Sequence, residues 1–312
     1  MRIIFMGTPE FAVPCLEALL DEHEVVTVVS QPDKAQGRGR KVTATPVKKF
    51  AQEHDLVVIQ PKNINCSDAV EFLHGLQPDV LVVVAYGQLL KRKVLNLAKW
   101  GAINVHASLL PKLRGGAPIH RALMNGDKES GITIMKIEPK LDSGPILMQK
   151  AVQIDVDETL ASLHNRLANL GAEMLLETLQ QIDEIIPQAQ KHAEATYASL
   201  ITKQDRIIDW SKSAEQIFNQ IRGLNPWPTA FTYYRGKQIQ IWESKKINQK
   251  ELKKMAFGQI IDITPDGPLV LCGNNAVVLT RVQPAGKRKM TGSEFCRGYR
   301  CTTDDIFGGR EN

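Results

Sequence analysis

The chain has 312 residues, 43% of them apolar and 23% charged, with a formal net charge of +5. That length accommodates two domains with separate cores, and the composition is that of a water-soluble globular protein, which argues against a fibrous, disordered or membrane-embedded chain. The five cysteines (Cys15, Cys66, Cys272, Cys296, Cys301) form no Cys-x-x-Cys pair, so neither a disulfide framework nor a thiolate metal centre is expected.

The opening MRIIFMGTPEFAVP has too short an apolar run for a membrane span and lacks the layout of a secretory signal, so a cytoplasmic protein is expected. RIIFMG reads as a first strand, FAVPCLEALL as a helix and EVVTVVS as a second strand. A basic loop, G-R-G-R-K at 37–41, follows. AVEFLHGL is helical and leads to the strand DVLVVVAYG, and VLNLAKW precedes the strand AINVHAS. Uninterrupted apolar strands separated by helices predict a mostly parallel sheet covered on both faces, a Rossmann-like α/β domain. ITIMKI and PILMQKAVQI read as a later antiparallel pair. Leu160, Leu163, Leu167, Leu170 and Met174 have the spacing of a long amphipathic helix that packs back on the sheet.

The polar stretch Ile185–Arg206 breaks this pattern and divides the chain into a catalytic domain (1–187), a linker (188–205) and a C-terminal domain (206–312). In the last, one helix (SAEQIFNQIR) precedes AFTYYRGKQIQIWES, GQIIDIT, PLVLC and NAVVLTRVQ, short strands with turn signals that predict a small β-barrel. Residues 1–204 hold 22 Lys+Arg against 23 Asp+Glu, net −1, whereas 205–312 hold 17 against 11, net +6. The basic C-terminal part suggests a polyanionic partner.

Ligands of open parallel sheets bind off the carboxyl ends of the strands. The first strand-to-helix turn, MGTPEF, has one glycine and no G-x-G-x-x-G, so a dinucleotide-dependent dehydrogenase is not expected. INVHASLLPKLRGG (103–116) is the candidate site. Asn104 and His106 lie two apart on a strand and share a face, where an amide and an imidazole could hold an oxygen that becomes negative in a transition state. Asp142, in PKLDSGPIL, could favour the imidazolium and take up a proton. Gly115 and Gly116 would let the backbone turn closely. The other six histidines sit in helical or linker patterns and are expected to be solvated, without metal spacing. A structural strand-end histidine and a turn-forming aspartate would explain the same letters, so the residues alone leave site and scaffold both open.

Several separated motifs in order resolve this. NVHASLLPKLRGGAPIHRAL and LDSGPIL, with MGTPEFA, QPDKAQGRGRK, TPVKK, AYGQLL, IDW, RGLNPWPTAF and KRKM, resemble the folate-dependent formyltransferases over essentially the whole chain. Within that family the resemblance is strongest to the branch acting on initiator methionyl-tRNA. It implies Asn104, His106 and Asp142 as the catalytic set and Ser108, Leu109, Leu110 and Pro111 as lining of the folate pocket. It implies that the loop from Asp33 to Pro46, with Arg38, Arg40 and Lys41, approaches the tRNA acceptor end. The C-terminal domain resembles an OB-type barrel that holds tRNA, with Lys245, Lys246, Lys287, Arg288 and Lys289 as candidate phosphate contacts. The implied reaction moves the formyl group of 10-formyltetrahydrofolate to the α-amine of methionine on initiator tRNA, for translation initiation. No metal, redox cofactor or membrane is implied, and a monomer is expected.

Leu113 stands where the family is expected to carry Trp, and Ser130 and Ser143 where Thr is common. Two other readings compete. A formyltransferase acting on a small amine, such as glycinamide ribotide or an amino sugar nucleotide, needs neither the basic loop nor the basic barrel. A non-catalytic, folate-sensing RNA-binding protein needs no Asn–His–Asp set.

Overall fold

β-Branched apolar runs become the strands β1 (Arg2–Gly7), β2 (Glu24–Val29), a short hairpin of β3 (Lys34–Gln36) and β4 (Lys41–Thr43), β5 (Val58–Ile59), β6 (Val80–Val84), β7 (Ala102–His106), β8 (Glu129–Lys136) and β9 (Ile146–Gln153). The computed structural model describes residues 1–36, 41–247 and 255–309. Seven strands form one sheet in the order β5-β2-β1-β6-β7-β8-β9. The first five run parallel and β8 is antiparallel to β7. Every residue of β6 is buried, as expected of a strand covered on both faces.

The chain moves outward from β1 through β2 to β5 and returns on the other side of β1 with β6. This reversal makes the carboxyl ends of β1 and β6 the switch point where ligands of such sheets bind. Thr8 ties that edge together: its hydroxyl donates to the Tyr86 carbonyl at 2.9 Å and accepts from the Gln31 N–H at 3.3 Å.

The helices are α1 (Val13–Glu22), α2 (Pro46–Glu53), α3 (Ser67–Gly75), the single turn α4 (Arg92–Leu95), α5 (Pro118–Asn125) and α6 (Leu160–Gln180). Proline in the first turn and the Thr45 hydroxyl, which accepts the Lys48 N–H at 3.2 Å, start α2. Gly171 of α6 lies against β7, where an added Cβ would come within 2.9 Å of the Val105 side chain. Not every histidine outside the site is solvated. Both ring nitrogens of His23, which ends α1, are buried without a partner among the described residues. Desolvation there, aided by the N-terminal ammonium, lowers its pKa.

Two compact units result. The first comprises Met1–Gly115, Ser130–Val152 and His164–Ala198, and the second comprises Gly116–Glu129, Gln153–Leu163 and Ser199–Asn312. The second unit thus contains α5 as well as α7 (Lys203–Arg206), α8 (Ala214–Gly223), β10 (Ala230–Tyr234), β11 (Lys237–Ile247), β12 (Ile260–Thr264), β13 (Gly267–Leu271), β14 (Ala276–Pro284), β15 (Met290–Thr291) and α9 (Gly292–Tyr299). Chain order hides the membership of α5, which is decided by packing. Gly223 of α8 lets Leu123 and Met124 approach closely, and the Arg121 guanidinium holds Asp205 at 2.6 Å.

Capping boxes start α7, α8 and α9. The antiparallel strands run in the order β10-β11-β14-β13-β12, with β15 on β14. The Arg235–Gly236 turn, left-handed at both residues, joins β10 to β11 as hairpin twist requires. Near the carboxyl end, Phe307 pairs with Tyr234 and Ile306 pairs with Gln259. The strap therefore joins the two outer edges of the path and closes it into a barrel, around a core that includes Trp210, Tyr234, Phe295 and Phe307.

Candidate active site

β7 sets the first part of the site. Val105 turns into the core while Asn104 and His106 share the opposite face, as the two-residue period requires. Asn104 is half-buried, and its amide has no hydrogen-bond partner among the described residues. His106 is buried. Its Nε2 lies 3.1 Å from the Leu113 carbonyl oxygen. A carbonyl can only accept, so Nε2 carries the hydrogen. Nδ1 lies 3.8 Å from Asp142 Oδ2, too far for a direct hydrogen bond.

Asp142 is held from several sides. Its backbone is left-handed, at φ +46, a conformation that aspartate tolerates better than most residues. Its Oδ2 accepts the Gly115 N–H at 2.7 Å. Gly115, at φ +118, passes so close to the next layer of chain that an added Cβ would lie 2.8 Å from the Ala198 carbonyl, which accounts for the glycine. Leu113 contributes its carbonyl to His106 and its N–H to Thr196 Oγ1 at 2.9 Å. Its departure from the family pattern thus falls on a residue whose recorded polar contacts are backbone ones. Ser143 is buried and donates to the Lys140 carbonyl, whereas the buried Ser130 hydroxyl has no partner among the described residues.

Two supporting residues were not singled out by the sequence. The buried amide of Gln190 donates to the carbonyls of Asp142 at 3.0 Å and Gly144 at 2.7 Å. Its oxygen accepts from Arg114 at 3.1 and 2.6 Å, and the same guanidinium reaches His192 Nδ1 at 3.0 Å. Gln190 lies in the polar stretch expected as a linker. Through residue 198 that stretch bonds along the site loop, by way of the Arg114–Tyr197 bridge and the Ala198 N–H to Arg114 carbonyl bond of 2.7 Å. Polarity suggested a spacer. The stretch holds no glycine and a single serine, Ser199, which is sparse for a flexible linker.

Among the residues expected to line the folate pocket, Ser108 and Leu110 are buried and engaged in the scaffold. Ser108 donates to the Lys112 carbonyl at 2.7 Å and its own carbonyl accepts from Thr133 at 2.6 Å. Gln149 donates to the Leu110 carbonyl at 2.9 Å, and the following Leu110–Pro111 peptide is cis. Leu109 and Pro111 stay half-exposed. A cavity of about 640 Å³, lined by Asn65, Gln88, Leu89, Leu90, Lys91, Arg92 and Pro139, opens off the loop that follows β6 and beside the loop that carries Asp142. Leu89 and Leu141 are exposed.

Within the second unit the described candidate RNA contacts fall at two places on the barrel. Arg38 and Arg40 lie outside the described residues, as does the side chain of Lys41, whose backbone begins β4. Lys245 and Lys246, adjacent on β11, point to opposite faces, and each has an acidic partner, Asp266 and Glu215 respectively. Lys287, Arg288 and Lys289 occupy the turn between β14 and β15, at the other end of β11 and roughly 20 Å away along the strand. Arg288 lies 3.8 Å from Glu294, and Lys289 Nζ sits 3.1 Å from the centre of the Trp242 ring. Among the described residues no group of three or more His, Cys, Asp and Glu could hold a metal ion.

An unpaired amide beside an imidazole and a carboxylate, on a Rossmann-like sheet without a dinucleotide cradle, has the makings of an acyl-transfer site. A family model described as formyl transferase matches residues 1–179, and one described as formyl transferase, C-terminal domain, matches residues 200–300. The chain belongs to the formyl transferase family. It is 46% identical to the methionyl-tRNA formyltransferase of Alkaliphilus oremlandii, over 99% of this chain and all of that one, and 42% identical to that of Bacillus subtilis, over 98% of each. Among solved structures, an N-formyltransferase from Helicobacter canadensis in complex with folinic acid and dTDP-3-aminofucose shares its fold. The TM-score is 0.67 at 19% identity, over 91% of this chain and 99% of that one.

Proposed function

We propose that the protein transfers the formyl group of 10-formyltetrahydrofolate to the α-amine of methionine on initiator methionyl-tRNA, acting in the cytoplasm as a monomer. The observation that carries the reading is the Asn104, His106 and Asp142 arrangement, in a chain whose full-length relatives at 42–46% identity are named methionyl-tRNA formyltransferase. Neighbours named as sugar formyltransferases are below 20% identical, so they support the fold and not a sugar acceptor. A folate sensor would need no imidazole fixed against a carboxylate.

The donor supplies a formyl group on nitrogen. The cavity beside Leu89, Leu90 and Pro139 offers apolar walls that fit a flat pterin, and Leu109 and Pro111 are half-exposed. The Asn104 amide would donate to the oxygen of the carbonyl under attack. His106, with Nε2 held on Leu113, would take the proton of the attacking amine on Nδ1 and return it to the departing nitrogen. The Asp142 carboxylate, 3.8 Å from Nδ1, would face the ring between those two events. The division into a catalytic part to residue 187, a connecting segment and an RNA-holding barrel from 206 is supported by family-model matches at 1–179 and 200–300. Asp142→Asn tests the reading. Turnover is expected to fall about 10²-fold or more with the KM for methionyl-tRNA little changed, and wild-type turnover in this variant would contradict it.

A further inference from the structure

An exposed indole forgoes much of the transfer free energy that burial would give it. Trp227 is 69% exposed, yet its loop is firmly held. Thr229, two residues on, is buried at φ +68, a rare conformation for a β-branched residue that persists only where its surroundings enforce it. Its N–H donates to the Leu224 carbonyl and its hydroxyl to the Pro226 carbonyl, both at 2.9 Å, and its carbonyl accepts from Arg206 Nε at 3.1 Å. On the other side, Asn225 Nδ2 donates to the Trp242 carbonyl at 2.9 Å. The fold thus spends strain and four hydrogen bonds on a loop that turns a tryptophan outward. His120 of α5 meets the indole in a T-shaped contact, ring centres 6.4 Å apart, and does not stack on it. Arg206, fixed at the root of the loop, has no carboxylate partner among the described residues.

We infer that Trp227 is a stacking platform for an unpaired nucleobase of an RNA ligand, with Arg206 beside it for the neighbouring phosphate. The inference deepens the proposed function, on which it rests for the RNA. A protein interface would call for a contiguous apolar patch. The imidazole of His120 meets Trp227, and at Thr229, two residues along the same loop, sits a guanidinium with no carboxylate partner among the described residues, in a stretch (205–312) of net charge +6. An aromatic face with a nearby cation is how single-stranded nucleic acid is held without regard to sequence.

The test uses the full-length protein with Trp227→Ala and Trp227→Phe. Removing a stacking ring typically weakens binding ~5- to ~150-fold. Trp227→Ala should raise the KM for methionyl-tRNA by that order while leaving the KM for the folate donor and the melting temperature unchanged, and Trp227→Phe should restore most of the loss. In parallel, Trp227→Ala should weaken binding of an unstructured oligoribonucleotide, read by fluorescence anisotropy of a label on the RNA. An unchanged oligonucleotide affinity in Trp227→Ala overturns the platform, as does an equal loss in both variants accompanied by a lower melting temperature. If the wild-type protein forms no formylmethionyl-tRNA, the proposed function falls, while the oligonucleotide arm still decides the platform.

Discussion

At the scale of single residues, the proposed site depends on what its polar groups are left free to do. Asn104 is the one group of the three with no competing hydrogen bond among the described residues, so its amide needs no reorganisation to meet a developing charge. Asn104→Ala should lower kcat ~10²–10³-fold without a change in melting temperature, as single-turnover kinetics beside a thermal melt would show. Gln190 makes the opposite prediction. Its amide joins the carbonyls of Asp142 and Gly144 to the buried Arg114, and Gln190→Leu leaves all of them short of a partner. A loss of roughly 2–4 kcal/mol in urea unfolding is expected together with reduced kcat; a variant as stable as wild type would show that Gln190 does not hold the Asp142 loop. Asn104, His106 and Asp142 were named from sequence by strand spacing together with the family resemblance, and the fold brings His106 and Asp142 within 3.8 Å. Gln190 was not, since nothing local in IIPQAQKH tells a buried glutamine from a solvated one.

At the scale of elements, α5 shows how a short helix is placed. Its Arg121 bonds Asp205, the residue that also completes the capping box of α7. The guanidinium hydrogen bond, followed by the bonds from Thr202, holds the Asp205 carboxyl well below the usual carboxylate range. Because the folded pKa is depressed, this contribution is complete above the unfolded value of about 3.9 and is lost as pH falls below it toward the folded value. Asp205→Asn should therefore be less stable than wild type at pH 7, with the gap closing below about pH 4. A gap that stays undiminished from pH 7 down to pH 2 would assign the loss to packing. Strands such as β6 and helices such as α8 could be read directly, since apolar runs and capping residues declare themselves locally. The assignment of α5 to the second unit could not, because it depends on long-range packing against α8.

At the scale of the whole molecule, charge and the two units must serve one reaction. The excess of +6 lies in residues 205–312, although Lys245, Lys246 and Arg288 already face carboxylates. Lys287 has no such partner among the described residues. If the barrel holds phosphates, the KM for methionyl-tRNA should rise steeply with salt, and Lys287→Ala should reduce the logarithmic slope by about one; a slope near zero in the wild type would remove RNA from the account. Composition made the charge asymmetry readable, but which cations remain available depends on side chains that meet only after folding. The most direct test of the central claim is transfer of labelled formyl from 10-formyltetrahydrofolate to methionyl initiator tRNA, run beside uncharged tRNA, a small amine and the Asp142→Asn protein. The account predicts label on the charged tRNA alone, lost with Asp142→Asn. Label on the small amine, or undiminished transfer by the variant, would contradict it.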